Sequence, residues 1–281
     1  MAIAAEERDA RRDAGARLRA ARREAGLTLR QLAQELEVSA ATWSAVENGH
    51  TKIDDARLAQ AAVILGADAA TLRGTPPPVA GSWREFGPLR LEPPLAGALA
   101  AFVELGYHGA TVRDIAQRAR LSVPGVYHHW PAKQDLLVAL LDRTMDEVLT
   151  RARAARAEAD GSVARFANLV ECLALYHTHR RELGFIGASE MRSLAEPART
   201  RIAAARQEIQ HMVEDEVREG CRRGVMATEL PKEAARAVVT MCTALPQWWS
   251  PGGPSGPAAI ARHYVGFALD TVRYVQGEPT G

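Results

Sequence analysis

The sequence predicts an all-α protein, and three observations carry that prediction. Alanine and arginine recur throughout while β-branched runs are scarce, which favours helix over sheet. Aromatic residues make up only 5% of the 281, which argues against a sandwich or barrel. Apolar residues fall at helical spacing between capping residues and glycines, with no strand–helix alternation and no fixed repeat of about 20 to 50 residues. With 47% hydrophobic and 25% charged residues and a net charge of +1, the chain has the balance of a globular protein rather than of a disordered tail or fibre.

The chain opens with a helix crowded by Arg8, Arg11, Arg12, Arg17, Arg19, Arg22 and Arg23, the pattern of a solvated face with ion pairs along one helix. Gly26 stops it, and Thr28 caps a second helix whose Leu29, Leu32, Ala33 and Leu36 share a face. Ser39 caps a third, short helix that the Asn48-Gly49 pair ends, and Asp54 or Asp55 starts a fourth that stops at Gly66. Prolines and glycines from Thr75 to Pro94 then interrupt the helical pattern, predicting an N-terminal domain of residues 1–74 and a linker over 75–92. Pro76, Pro77 and Pro78 favour a stiff polyproline II spacer, whereas Trp83 and Phe86 are expected to dock on a flanking domain.

After the linker, a helix closes at Gly106, Thr111 caps V-R-D-I-A-Q-R-A, Ser122 caps a very short helix, and a longer one begins at Lys133 after Pro131. These elements define a domain of residues 93–140. The remainder, 141–281, reads as long helices with breaks at Asp160-Gly161, at Gly184, near Pro197, at Gly224, at Pro231 and from Ser250 to Pro257.

Both short-helix triplets have the layout of a helix-turn-helix, in which one helix crosses a nucleic acid backbone and steers the N-terminal turn of the next into the major groove. The stretch Leu27 to Lys52, with its L-A pair, its turn ending at Ser39 and its E-N-G after the third helix, resembles the Cro/repressor (XRE) family over roughly Ala14 to Leu72. That resemblance implies DNA contacts from Thr28, Arg30, Ser39, Thr42, Ser44, Asn48 and Lys52. Ala40, Ala41 and Ala45 stand where members commonly place polar base-reading side chains, and Leu29 stands where many have a phosphate-binding glutamine. Alanine has no side-chain hydrogen-bonding group, so direct readout falls to Ser39, Thr42 and Ser44, with Arg30, Lys52 and the amides around Asn48 left to grip phosphates. A module for packing or protein interaction is the alternative.

The stretch Ala98 to Asp142 is similar to the DNA-binding domain of TetR-family repressors: a helix ending in L-G-Y, the capped T-V-R-D-I-A, an S-x-x-x-x-Y turn and a lysine opening the next helix. The family pattern implies base contacts from Arg113, Val123, Pro124, Gly125 and His129, and backbone contacts from Thr111, Tyr127 and Lys133, with His128 beside them. Arg120 departs from a glycine usual in the turn. As metal ligands, His128 and His129 are poorly placed, since adjacent helical residues point about 100° apart.

TetR-like proteins pair this module with a larger helical domain that dimerises and encloses an effector. The segment Thr228 to Val275 and the E-x-R-x-L stretch of Glu190, Arg192 and Leu194 resemble a subgroup that regulates acyl-CoA and lipid catabolism. The partners implied are double-stranded operator DNA, a second copy of the chain, and a small-molecule effector such as an acyl-CoA or other lipid-like ligand. Apolar faces through Ala234, Val238, Met241, Cys242 and Leu245, and through Ile260, Tyr264, Phe267, Leu269 and Val272, suit a four-helix dimer interface, the alternative being completion of the monomer core. Tyr176, Met191, Trp248 and Trp249 are the residues assigned to an effector pocket.

No motif of a hydrolase, zinc protease, P-loop or dinucleotide enzyme is present, so no catalysis and no cofactor are expected. His211 and Asp215 share a helix face but lack a third ligand, and Cys172, Cys221 and Cys242 have neither disulfide nor zinc spacing and read as buried thiols. The N-terminus lacks the apolar segment of a signal peptide and no stretch reaches the ~20 apolar residues of a membrane span, which predicts a cytoplasmic location. The expected function is that of a sequence-specific DNA-binding transcriptional regulator, a ligand-responsive repressor with two helix-turn-helix modules per chain.

Overall fold

The computed structural model describes residues 2–67, 72 and 82–275; these contain helices, loops and one isolated antiparallel bridge between Met226 and Tyr274. The chain divides into two compact units, residues 1–80 and 81–281. Pro76, Pro77 and Pro78, and with them the expected stiff spacer, lie outside the described residues.

The first unit holds α1 (Ala2–Glu24), α2 (Leu29–Glu35), α3 (Ala40–Glu47) and α4 (Asp55–Leu65). Each start after the first is fixed by an oxygen that satisfies an otherwise orphan amide: Thr28 accepts from Gln31 N–H, Ser39 from Thr42 N–H and Asp54 from Arg57 N–H. Leu18, Leu32, Leu36, Trp43, Leu58 and Leu65 form the core. The arginine run is not simply a solvated face. Arg22 is buried, and its Nε and Nη2 bind the two oxygens of buried Glu47 at 2.6 and 2.8 Å, while the Trp43 indole donates to Glu47 Oε1 at 2.8 Å. Partners on α3 were invisible to a reading confined to one helix. A Cβ at Gly15 would lie 2.5 Å from the Val46 carbonyl, so α1 and α3 meet backbone to backbone there.

The second unit begins with a strap, not a free linker. Trp83 is buried among the helices that follow and donates its indole N–H to Glu158 at 2.6 Å. Arg84 forks onto Glu171 at 2.9 and 3.0 Å, Arg151 donates to the carbonyls of Trp83 and Glu85, and Phe86 stacks on His179 with centroids 4.5 Å apart. Then come α5 (Pro93–Gly109), which bends at Gly106 where φ is 69°, α6 (Val112–Ala119), α7 (Val123–His129) and α8 (Lys133–Glu158). They are followed by α9 (Ser162–His179), α10 (Arg181–Ser189), a 3₁₀ turn at Met191–Ser193, α11 (Ala198–Arg222), α12 (Pro231–Trp248) and α13 (Pro257–Thr271).

Two hydrophobic clusters lie along this unit. One joins Phe102, Ile115 and Val126 of the short-helix triplet, with Leu137 and Leu141 of α8, to Leu183 and Ile186 of α10. The other surrounds α9, which packs against α8, α11, α12 and α13. The break expected at Gly184 falls instead at Arg180. Gly184 is buried inside α10, because a Cβ there would stand 2.6 Å from His177 Nδ1 and 3.0 Å from Pro246. Most of the residues assigned to the dimer face belong to the interior: Ala234, Val238, Cys242, Leu245, Ile260, Tyr264 and Val272 are buried within the chain, whereas Phe267 of that face is 57% exposed, as is Trp248, assigned to the pocket, at 58%. Of the three free thiols, Cys172 and Cys242 are buried and Cys221 is partly so.

Candidate DNA-facing surface and effector cavity

In the second unit the capping box of Thr111 and Asp114 starts α6, and the Ser122 hydroxyl starts α7 by accepting Gly125 N–H at 3.1 Å. The turn between them needs a left-handed residue, which Arg120 supplies at φ 55° despite its Cβ; Glu37 does the same at φ 53° in the turn between α2 and α3. Gly97 brings α5 against α6: a Cβ there would sit 2.6 Å from the Ile115 carbonyl. Val126 points into the core, and Trp130 just after α7 donates to Glu92 at 3.0 Å. The opposite face of α7 is open. Thr111, Arg113, Pro124 and His128 are exposed, Tyr127 is 47% exposed, and Val123 and Gly125 are half-buried at the first turn. The side chain of His129 lies outside the described residues.

Lys133 departs from its expected role. Its ammonium donates to the carbonyls of Tyr107 and Ala110 at 2.7 and 2.8 Å and lies 4.3 Å from the Tyr107 ring centroid. It therefore caps the end of α5, and burial pulls its pKa below the usual lysine range.

In the first unit, Thr28, Arg30, Ser39, Thr42, Asn48 and Lys52 are exposed and Ser44 is half-buried. Much of their polarity is used internally. The Ser39 and Thr42 hydroxyls lie 2.7 Å apart, the Thr28 hydroxyl donates to Gln31, and the Asn48 side chain binds Ser44 and Arg19. The amides of Asn48, Gly49, His50 and Thr51 all donate to carbonyls of Ser44, Val46 and Ala45, so the amides expected to hold a phosphate are already occupied.

Within the second unit a cavity of about 200 Å³ lies among α8, α9, α10, α11 and α12. Tyr176 lines it, fully buried, with its hydroxyl on the Thr144 carbonyl at 3.3 Å. The other three residues assigned to a pocket do not reach it. Met191 packs against the cluster of the short-helix triplet, Trp249 is buried in the α9 core with its indole on the Ser255 carbonyl, and Trp248 faces outward over Tyr264. The cavity wall instead brings in His177, Arg206 and Gln210, which sequence reasoning passed over; the four-residue spacing of Arg206 and Gln210, which puts both on one helix face, was the available signal. Burial and then the nearby charge of Arg206 push the His177 pKa down to about 4. A wider surface groove of about 500 Å³ includes His211 and Asp215, but Arg153 and Arg156 within it are paired to Glu208 and Glu216 at 2.6 Å. No metal-binding cluster and no helix long and apolar enough to cross a membrane occur among the described residues.

Three family models match the chain: a helix-turn-helix domain over residues 13–73, the tetR family of bacterial regulatory proteins over 95–140, and the tetracyclin repressor-like C-terminal domain over 159–272. The HTH-type transcriptional repressor KstR2 of Mycobacterium tuberculosis is 24% identical over 175 residues, covering 61% of this chain and 87% of that one. A tetR-family regulatory protein from Rhodococcus RHA1 superposes with a TM-score of 0.61 at 26% identity, covering 66% of this chain and 97% of that one. AibR in complex with isovaleryl coenzyme A and operator DNA shares the fold with a TM-score of 0.56 at 24% identity, covering 62% of this chain and 95% of its own.

Proposed function

The chain belongs to the TetR family of bacterial regulatory proteins, and from that premise we propose that it works as a cytoplasmic, homodimeric, effector-responsive repressor. A DNA-binding transcriptional regulator is not an enzyme, and its work is done by which surface it presents to the duplex. The observation that carries the reading is the open first turn of α7, held by Ser122 at its start and by buried Val126 behind it. In this reading Arg113 reads a base edge, the Tyr127 hydroxyl and the Thr111 turn hold phosphates, and Val123, Pro124 and Gly125 let the backbone approach thymine methyls.

Dimerisation is supported by Trp248 on α12 and Phe267 on α13, both exposed, whose rings flank that of buried Tyr264 at 6.5 and 6.2 Å. Two such faces would place two α7 helices on successive turns of DNA, about 34 Å apart. An effector in the cavity would act through α10, which lines the cavity at Gly184 and Gly187 and reaches the short-helix cluster through Leu183 and Ile186. The likeness to AibR, whose complex holds isovaleryl coenzyme A, supports an acyl-type effector class.

Selection of an operator from random DNA, followed by footprinting, tests the reading. The expected result is a protected pair of half-sites one helical turn apart, with affinity falling steeply as salt rises. Protection without sequence preference would refute it.

A second role is favoured for the first unit, where Ser39, Thr42 and the amides after α3 are occupied internally. There Arg30 and Lys52 remain as cations for phosphate anchoring. If Arg30→Ala with Lys52→Ala in the full chain leaves footprint length and salt dependence unchanged, this unit serves protein interaction instead.

A further inference from the structure

The cavity wall carries a cation and two polar groups whose bonding is incomplete. Arg206 donates Nη1 to the Gly187 carbonyl at 2.9 Å, and no carboxylate pairs with it among the described residues. Its neighbours in the same helical body differ: Arg151 and Arg180 hold Glu147, and Arg156 holds Glu216. The His177 side chain is buried with no hydrogen-bond partner at Nδ1, and Gln210 Nε2, one helical turn from Arg206, is buried and equally unmatched. Arg206 is half-buried; unpaired buried polar atoms are costly, and a cation partly withdrawn from water without a counter-charge adds to that cost.

We propose that the cavity is a site for a compact carboxylic acid, with Arg206 taking the carboxylate, Gln210 and His177 donating to its oxygens, and Val148, Leu173, Ile209 and Val239 receiving its aliphatic part. This deepens, and rests on, the reading of the chain as an effector-responsive regulator. Charge and shape select the class. A guanidinium fork matches the two oxygens of a carboxylate, whereas a phosphate dianion would call for a second cation that the wall does not supply. Size narrows it further, since about 200 Å³ falls below the ~300–1,000 Å³ of sites that enclose drug-sized ligands, leaving room for an acid and not for a coenzyme. His177, neutral over the physiological range, serves as a donor through its Nδ1–H tautomer without adding charge.

The test uses the full-length protein with octanoate, octanol, octanamide and octanoyl coenzyme A, read by calorimetric titration and by melting temperature. Octanoate is expected to bind and raise the melting temperature, with the alcohol and the amide at least about tenfold weaker. Arg206→Met should abolish the preference for the acid, and Gln210→Leu should weaken acid binding severalfold. Melting of the unliganded variants establishes that they fold, and Arg206→Lys, which keeps the charge but loses the fork, provides a second variant expected to retain a weakened preference. Equal binding of the alcohol, undiminished acid binding in Arg206→Met, or binding of octanoyl coenzyme A alone would overturn the proposal. Operator footprinting without ligand is independent of all these arms, so loss of acid binding with an intact footprint sinks this site and not the DNA-binding reading. Acid that binds without changing operator occupancy upholds the site and removes its role as an effector.

Discussion

Glu190 accepts the backbone N–H of Tyr107 at 3.2 Å through Oε1, joining the end of α10 to the end of α5. The carboxylate is buried, and its other oxygen accepts the Ser193 hydroxyl at 2.8 Å. Tyr107 is also where Lys133 caps α5, just after the positive-φ bend at Gly106. Two carbonyls and one amide thus fix how α5 meets the start of α8. Because α10 lines the cavity with one part of its surface and touches the short-helix cluster with another, Glu190 stands where a shift of α10 would be felt by α5, α6 and α7.

Glu190→Ala is therefore expected to cost about 1.5–3 kcal/mol of stability, the range for losing a charged hydrogen-bond partner, and to weaken operator binding. Glu190→Gln retains a carbonyl acceptor for Tyr107 and should keep most of that affinity. Urea unfolding and operator titration on the three proteins check this. Wild-type behaviour of Glu190→Ala in both would remove Glu190 from the connection.

Arg22 and Glu47 make the corresponding claim for the first unit. The pair is buried and forked, and Trp43 adds a third bond to the same carboxylate, which also raises the Arg22 pKa. Glu47→Ala leaves a buried guanidinium without its counter-charge, so a loss of about 3–5 kcal/mol is expected. Hydrogen exchange should report the loss as opening of residues 11–65 while protection around α9 persists. Replacing both residues together, Arg22→Met with Glu47→Leu, should recover much of the stability because no lone charge remains.

What was legible in the sequence was local. Thr28, Ser39, Asp54, Thr111 and Ser122 each cap the helix that follows, because an oxygen beside three orphan amides acts within four residues of chain. The helix-turn-helix segments were legible for the same reason. Longer-range facts were not. Gly184 looked like a stop, but its role is to make room for the ring of His177 on another helix. Arg22 looked solvated because its partner lies 25 positions away. Trp248 and Trp249 are adjacent, and only the packing of α12 and α13 decides that one faces out and the other in. The cavity's polar set comes from α9 and α11, whose relative register no sequence spacing reveals.

His177 gives the molecule a pH dependence whose sign follows from its burial. The folded ring titrates near 4, whereas the unfolded chain titrates near the ordinary value of 6.5. Between those values the unfolded chain holds a proton that the native state refuses. Stability from this site is therefore complete above about pH 6.5 and falls as the pH drops toward 4, by on the order of 3 kcal/mol in all. Urea midpoints measured from pH 7.5 to 4.5 should decline more steeply for the wild type than for His177→Gln. Parallel curves would place the acid-sensitive group elsewhere.

Lys133 and Arg113 separate support from contact on the DNA-facing side. Lys133 has two of its three N–H bonds committed to the end of α5, so Lys133→Met is expected to lower the melting temperature through loss of about 2–3 kcal/mol while leaving the salt slope of operator affinity unchanged at temperatures where the variant is folded. Arg113 is exposed beside the start of α6, so Arg113→Ala should leave the melting temperature in place and cost about 1–3 kcal/mol of operator affinity, with relaxed preference at one base position per half-site. Denaturation, a salt series and reselection of operators from random DNA distinguish the two patterns. A shallower salt slope in Lys133→Met would mean that its ammonium leaves the α5 carbonyls for a phosphate when DNA arrives, since a cation that stays in the cap releases no counterion from the duplex.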